Sequence, residues 1–202
     1  TFISTIIWIL AQTRSAISAI ISQNLGAGNL KSLTSFPAQA ILFNISLSFI
    51  LLFSTYFFIE DILLFLRAEG KILEFSKEYY YIRIWGFPLT LFTFAIFGLF
   101  RGLQNTFWPM IIASIGVFIN VGLDFIFVYG LEDFMEPMGV KGAAWASLIA
   151  QLVMALLALV LVVTKTNISL KLKRKVHPEV KRLISMSFNL FIRSVALNIA
   201  LL

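Results

Sequence analysis

Long apolar runs alternate with short polar stretches along the chain, and this pattern predicts membrane-spanning helices. A transmembrane helix needs about 20 predominantly apolar residues, and runs of that length recur between clusters of charged residues, glycine and proline. The predicted helices lie at about 2–22, 36–59, 79–100, 106–130 and 142–163, with a last one from 183 to 202. We therefore expect an all-α integral membrane protein, a polytopic helix bundle in the lipid bilayer.

Local features refine this pattern. Pro88, in the sequence Gly86-Phe87-Pro88, lies inside the third predicted helix and should bend it, because proline lacks the N–H that continues the helix. The segment 60–78 alternates apolar and charged residues, which predicts an amphipathic helix along the outer membrane interface. Small residues at a spacing of four favour close helix packing; they are Gly98 and Gly102, and Gly142, Ala146 and Ala150.

The composition supports a membrane protein and disfavours an enzyme. Hydrophobic residues make up 59% and charged residues 13% of the 202 positions, against roughly 25% charged residues in a soluble domain. Mean hydropathy is +0.93. Cysteine is absent and His177 is the single histidine, so zinc and redox sites lack their usual ligands. Nucleotide-binding and hydrolase motifs are absent too, and we expect neither a cofactor nor catalysis.

Lys and Arg are distributed unequally between the two predicted sides of the membrane. The loops after the first, third and fifth predicted helices are strongly basic, and the opposite loops are dominated by Asp and Glu. Because basic loops stay in the cytoplasm, the first predicted helix runs from outside to inside. The net charge is +6, but the bases cluster in loops between apolar spans, so nucleic acid is not an expected partner.

Asp124 is the only carboxylate within a long apolar run, and Asn120 lies one helical turn before it. An Asp at membrane depth costs roughly 2.5–3.5 kcal/mol and often marks an ion or substrate path. Both side chains should share one helix face, where they could bind Na⁺ or a proton; the alternative is a hydrogen bond that only fixes the bundle. Gly116 and Gly122 should leave room for this helix to bend or repack.

Two bases and several aromatic residues also lie within predicted helices. Arg14 lies toward the cytoplasmic end of its helix, where its side chain could extend to the interface. Arg193 could pair with a carboxylate or contact an anionic ligand, and structural pairing is the favoured role. Four phenylalanines could line an apolar cavity for a lipophilic cation, although packing is the more common role of such residues; they are Phe92, Phe94, Phe97 and Phe100.

Five segments, in this order, resemble signatures of the multidrug and toxic compound extrusion (MATE) transporters. Segment 21–29 contains Gln23, Gly26 and Gly28, and segment 100–106 contains Arg101 and Gly102. Segments 120–124 and 138–147 resemble the family's "NxxLD" helix and "mGVxGAAxAT" motif. Segment 189–197, with Arg193, resembles the start of helix seven in the DinF-like branch. The resemblance covers the whole chain.

The resemblance implies a twelve-helix antiporter with two six-helix lobes. This chain would supply helices two to six and the start of helix seven: 1–164 in the N-terminal lobe, 165–182 as a basic cytoplasmic linker, and 183–202 in the C-terminal lobe. Helix one and the C-terminal lobe would be its missing partners. The family's cation site maps to Asn120, Asp124 and, with Ser in place of Thr, Ser147; its further Asp, on helix one, lies outside this chain.

The expected function is secondary active efflux in a bacterial inner membrane, with H⁺ or Na⁺ exchanged for lipophilic or cationic drugs or toxic metabolites. A lipid-linked oligosaccharide flippase is one alternative. It should line its cavity with more bases, and only Arg14 and Arg193 are candidates. A membrane-embedded enzyme should show a polar catalytic cluster near one interface, which the sequence lacks. A non-transporting structural subunit should tolerate Asp124→Asn.

Overall fold

The computed structural model describes residues 11–29, 35–131, 135–166, 168, 170 and 175–200. Within this part of the chain the backbone forms seven helices, so the predicted all-α architecture is confirmed. They are α1 (Gln12–Gly26), α2 (Phe36–Phe65), α3 (Gly70–Arg83), α4 (Gly86–Gly102), α5 (Phe107–Tyr129), α6 (Val140–Lys165) and α7 (Pro178–Ala200).

Three of the described helices, α2, α5 and α6, are long and apolar enough to cross a membrane. The pair α3 and α4, bent by 49°, would add a fourth crossing if it forms one broken span. Much of the first predicted span, 2–10, lies outside the described residues. Helix α7 is not among the candidates, although a span was predicted from 183. Its described part carries four charged residues: Glu179, Lys181, Arg182 and Arg193.

The predicted interfacial helix over 60–78 is wrong, because two helices share that segment. Helix α2 is 30 residues long, about 45 Å, and therefore exceeds a hydrocarbon core of about 30 Å. Five residues before its end, Glu60 accepts a hydrogen bond from Lys77 Nζ of α3 at 2.7 Å. A turn ends α2, and α3 begins at Gly70, earlier than the predicted third span.

The predicted bend at Pro88 is confirmed. Proline offers no N–H to the carbonyl of Ile84, four residues earlier, and its ring crowds that carbonyl. The Ile84 carbonyl instead accepts a bond of 3.0 Å from the Phe87 N–H, and the helix breaks between Arg83 and Gly86. The break separates α3 from α4 by 49°.

Helix α7 begins at Pro178, so the last residues of the predicted linker 165–182 are helical. Proline suits the first turn of a helix, where an N–H has no intrahelical partner. The side chain of Gln39 holds the approach to this helix: its Nε2 donates to the Lys175 carbonyl and its Oε1 accepts from the His177 N–H, both at 2.8 Å. The division of the chain into two lobes stays a prediction.

Glycines bring α1 and α4 into close contact, as their spacing predicted. A methyl group placed on Gly98 would lie 2.7 Å from the backbone oxygen of Arg14, and one on Gly102 would lie 2.6 Å from Ile21 Cβ. Residue numbers increase in the same direction along both helices at these contacts, so α1 and α4 are parallel, as expected for the first and third predicted spans. Without a hydrophobic driving force between helices in lipid, such close van der Waals contact stabilises the bundle.

Candidate cation site and central cavity

Helices α5 and α6 form an antiparallel pair, and three contacts define their register. Gly116 of α5 faces Met154, whose side chain would overlap any methyl group added there. Farther along α5, Asn120 Nδ2 donates a hydrogen bond of 3.3 Å to Ser147 Oγ. At the end of α5, a methyl group on Gly142 of α6 would lie 2.5 Å from the backbone oxygen of Phe127. The pair is therefore closely packed over most of its length.

The structure brings two of the three predicted cation ligands into contact. Asn120 and Ser147 are 27 positions apart in sequence and are joined by the hydrogen bond between their side chains. Both are partly buried. Because the amide nitrogen of Asn120 points at the hydroxyl, the amide oxygen remains as a neutral ligand. Their part in binding a cation stays a prediction.

Asp124 lies one turn beyond Asn120 on α5 and is partly buried. Its Oδ1 atom is enclosed by protein and has no hydrogen-bond partner among the described residues. The register of the pair explains this, because Asp124 falls level with Ala144 and Ala146, the buried side chains of α6 there, and alanine offers no donor. A buried carboxylate oxygen without a donor is costly, so this atom is available to a cation or a proton.

The two glycines of α5 differ in their surroundings. The prediction that Gly116 leaves room for movement is wrong, since Met154 fills the space beside it. A methyl group on Gly122 would have no atom within 4 Å. Open space therefore lies beside Gly122, which is exposed on α5, whereas the helix is closely packed at Gly116.

A central cavity of about 600 Å³ lies between α1, α4 and α6, with Arg83 of α3 at its edge. This volume is within the range of small-molecule sites, about 300–1,000 Å³. The lining residues are Ala11, Gln12, Arg14, Ser15, Arg83, Thr90, Thr93, Phe94, Phe97, Gln151 and Met154. Phe94 and Phe97 thus line a cavity as expected, whereas the same expectation is wrong for Phe100, which is buried in the core, and for Phe92, which packs against that core.

The cavity lies near the middle of the predicted membrane thickness. Arg14 is about 18 Å along the helix axis from Gly26 at the predicted cytoplasmic end of α1, and Gln151 is about 21 Å from Lys165 at the end of α6. The hydrocarbon core is about 30 Å thick. The expectation that Arg14 extends to the cytoplasmic interface is therefore wrong: its Cζ lies 5.4 Å from the centre of the Phe94 ring, at the cavity.

Two guanidinium groups face this cavity without an acidic partner among the described residues. Arg14 Nε and Arg83 Nε and Nη1 are buried and make no hydrogen bond in that part of the chain. Sequence reasoning missed Arg83, because it was counted with the bases of an external loop. The signal that could have found it is its position three residues before Gly86, where the broken helix turns into the bundle.

The remaining residues of the MATE-like motifs lie apart from the candidate cation site and from the central cavity, and some of them contact a neighbouring helix. Gln23 Oε1 accepts a hydrogen bond from Arg182 Nη2 and so joins α1 to α7. Gly26 ends α1, and Gly28 adopts a left-handed φ of +69°, which glycine tolerates best. Gly102 contacts Ile21. Arg101 is exposed in the last turn of α4, and Arg193 is exposed on α7.

Comparisons with known proteins define the class of this chain. The sequence model of the MatE family matches residues 1–126, which is more than half of the 202 residues. The chain belongs to this family, the MATE transporters. A relative in Thermotoga maritima, probable multidrug resistance protein NorM, is 32% identical over 66% of this chain and 28% of its own length. DNA damage-inducible protein F of Escherichia coli is 25% identical over 97% of this chain and 42% of its own.

Solved MATE structures share this fold. A crystal structure of MATE in the bent conformation matches with a TM-score of 0.88 and 22% identity, over 99% of this chain and 44% of that one. A transporter of the MOP superfamily from Pyrococcus furiosus matches with a TM-score of 0.85 and 20% identity, over 99% and 44%. The chain thus spans less than half the length of these relatives.

Proposed function

We propose that the protein containing this chain is a secondary active efflux transporter that exchanges H⁺ or Na⁺ for lipophilic drugs or toxic metabolites, cationic ones among them. Family membership supports efflux as the activity, since a relative carries the name probable multidrug resistance protein. We place the protein in a bacterial inner membrane, with a second lobe that completes the transport path. Secondary transporters commonly bind their substrate near the bilayer midplane, where helices are interrupted.

The unpartnered Oδ1 of Asp124, one turn from the bonded pair Asn120 and Ser147, carries this proposal. Carboxylate, amide and hydroxyl oxygens are hard ligands that suit Na⁺, and the carboxylate alone accepts a proton. A bound cation neutralises Asp124 and removes the penalty of its enclosed charge. Helix α5 then repacks on α6, and the open space beside Gly122 accommodates the change.

The driving force is sufficient for efflux. One elementary charge moving down about 100 mV releases about 2.3 kcal/mol. At about 1.4 kcal/mol per tenfold change in concentration, that energy supports a substrate gradient of roughly fiftyfold. Transport by this route requires no ATP.

The related lipid flippase is the second candidate, and Arg83 is the observation that favours it. Sequence reasoning set it aside because only Arg14 and Arg193 were candidates for a basic cavity. Arg193 is exposed on α7, but Arg83 takes its place beside Arg14. Two bases at one cavity suit an anionic head group better than they suit a lipophilic cation.

Cation-driven efflux from proteoliposomes tests the proposal. The full-length protein is compared with Asp124→Asn, and with Ser114→Ala as a matched control at an exposed position of the same helix. A pH gradient and a Na⁺ gradient are imposed separately to identify the coupling ion. We expect Asp124→Asn to lose gradient-driven efflux of a fluorescent dye and Ser114→Ala to keep it. Wild-type efflux from Asp124→Asn would refute the proposed coupling.

A further inference from the structure

We propose that the central cavity binds an oxyanion, the carboxylate or phosphate group of an amphiphilic ligand, through Arg14 and Arg83. This site is independent of the cation coupling proposed at Asp124, and it deepens the second candidate function, which rests on the same two bases. Arg83 lies at the end of α3 and Arg14 in the middle of α1, and both line the same space. The shared ligand chemistry has two sources: a lipid head group or a soluble anion.

Charge is the first argument. Arginine within a membrane bundle is costly and is normally paired, yet the ion pairs of the described residues lie elsewhere and leave both bases out. Arg14 contacts the face of Phe94, which attracts a cation, and its Nε–H has no acceptor among the described residues. Two positive charges in a cavity of low dielectric attract an anion strongly and repel a cation.

Unpartnered polar atoms are the second argument. Three buried guanidinium nitrogens, one of Arg14 and two of Arg83, lack an acceptor among the described residues. In the same cavity the hydroxyl Thr90 Oγ1 is also buried without a partner and can donate to an anion. Gln151 Oε1 is buried there too, but it is an acceptor and lies with Arg83 Nη1 beside Gly86. Arg and hydroxyl donors that converge from three helices match the several acceptor lone pairs of a carboxylate or phosphate.

The break between α3 and α4 adjoins the site. Helix α3 ends at Arg83, and α4 begins at Gly86. A methyl group on Gly86 would overlap Gln151 Oε1 and lie 3.0 Å from Arg83 Nη1, so the helix start, the amide and the guanidinium share one small region.

The apolar part of the lining describes the rest of the ligand. Phe94, Phe97 and Met154 line the cavity together with the bases. The volume of about 600 Å³ exceeds what an inorganic anion fills. The site therefore suits an oxyanion attached to an aromatic or aliphatic body.

Binding of 1-naphthyl phosphate to the full-length protein tests the site, with 1-naphthylmethanol as a neutral probe of similar shape. Isothermal titration in phosphatidylcholine nanodiscs needs no ion gradient, so its result is independent of the coupling proposed at Asp124. We expect the phosphate to bind and the neutral probe to bind at least about tenfold more weakly, since charge-assisted bonds are lost. Arg83→Gln and Arg14→Gln should weaken the phosphate by about tenfold each, whereas Arg83→Lys and the control Ser114→Ala should weaken it less.

Gln151→Glu keeps the test decisive if an Arg variant fails to fold. The new carboxylate would lie beside Arg83 and occupy the site from within, so we expect it to abolish phosphate binding and raise the melting temperature. Weaker binding of 1-naphthyl phosphate in nanodiscs that contain phosphatidylglycerol than in phosphatidylcholine nanodiscs would show competition and identify a lipid head group as the natural ligand. Equal binding in both kinds of nanodisc would identify a soluble anion. The proposal would be overturned if the wild type failed to bind 1-naphthyl phosphate in phosphatidylcholine nanodiscs, or if Gln151→Glu and Arg83→Gln both bound it as tightly as the wild type.

Discussion

Gly98→Ala should destabilise the bundle, because the glycine is the contact point between α4 and α1. The added methyl group would lie 2.7 Å from the backbone oxygen of Arg14 and 3.1 Å from Ile17 Cβ. Real Cβ atoms do not approach a backbone oxygen so closely, so the helices must separate. Overpacking of this kind costs about 1–3 kcal/mol, and the better helix propensity of Ala returns up to about 1 kcal/mol. Because the obstructing atom belongs to the backbone, we expect the upper part of the overpacking range, about 2–3 kcal/mol, and thus a net loss of about 1–2 kcal/mol.

Gly122→Ala is the matched control for this prediction. It makes the same substitution within a helix, at a position where the methyl group meets no atom within 4 Å. Only the propensity gain remains there, so this variant should be unchanged or slightly more stable. Thermal unfolding of the purified full-length variants, followed by tryptophan fluorescence, measures both. The reasoning is refuted if Gly98→Ala is as stable as the wild type, or if Gly122→Ala loses as much stability.

Two further substitutions test the candidate site and the linker. Ser147→Ala removes the hydroxyl that Asn120 contacts at 3.3 Å, so the cation concentration for half-maximal efflux should rise several-fold. Ser147→Thr retains a hydroxyl and should leave this concentration unchanged. Equal concentrations for the two variants would exclude the hydroxyl as a ligand. Gln39→Ala removes the side chain that bonds the Lys175 carbonyl and the His177 N–H, both at 2.8 Å. The loss should lower the stability of this contact by about 1–3 kcal/mol and speed proteolysis near 175–177. Proteolysis at the wild-type rate would contradict this role of Gln39.

The hydrophobic pattern predicted the helices well because the bilayer allows few alternatives. Backbone groups of a single apolar span in lipid must be satisfied within a helix, so each long apolar run in the described part of the chain corresponds to a helix, and Pro88 marks the break. Helix ends outside the apolar runs were less predictable. Helix α2 continues past Glu60, which pairs with Lys77 of α3, a tertiary contact that the periodicity of one segment does not reveal.

The candidate site was predictable in part. Asn120 and Asp124 stand out as polar residues in an apolar helix, and motif resemblance added Ser147, which the structure places against Asn120. The role of Arg83 was not predictable from its charged neighbours. Its position depends on the angle between α3 and α4, which is a tertiary property. The contact of Arg14 with Phe94 at the cavity likewise depends on tertiary packing.

The central claim is that Asp124, with Asn120 and Ser147, binds the coupling cation. Equilibrium binding to the purified full-length protein tests it most directly, with radioactive ²²Na⁺ for sodium and a pH-indicator dye for proton uptake. The account predicts that the wild type binds one Na⁺ or takes up one proton that Asp124→Asn does not, while Ser114→Ala matches the wild type. Equal cation binding by the wild type and Asp124→Asn would contradict it.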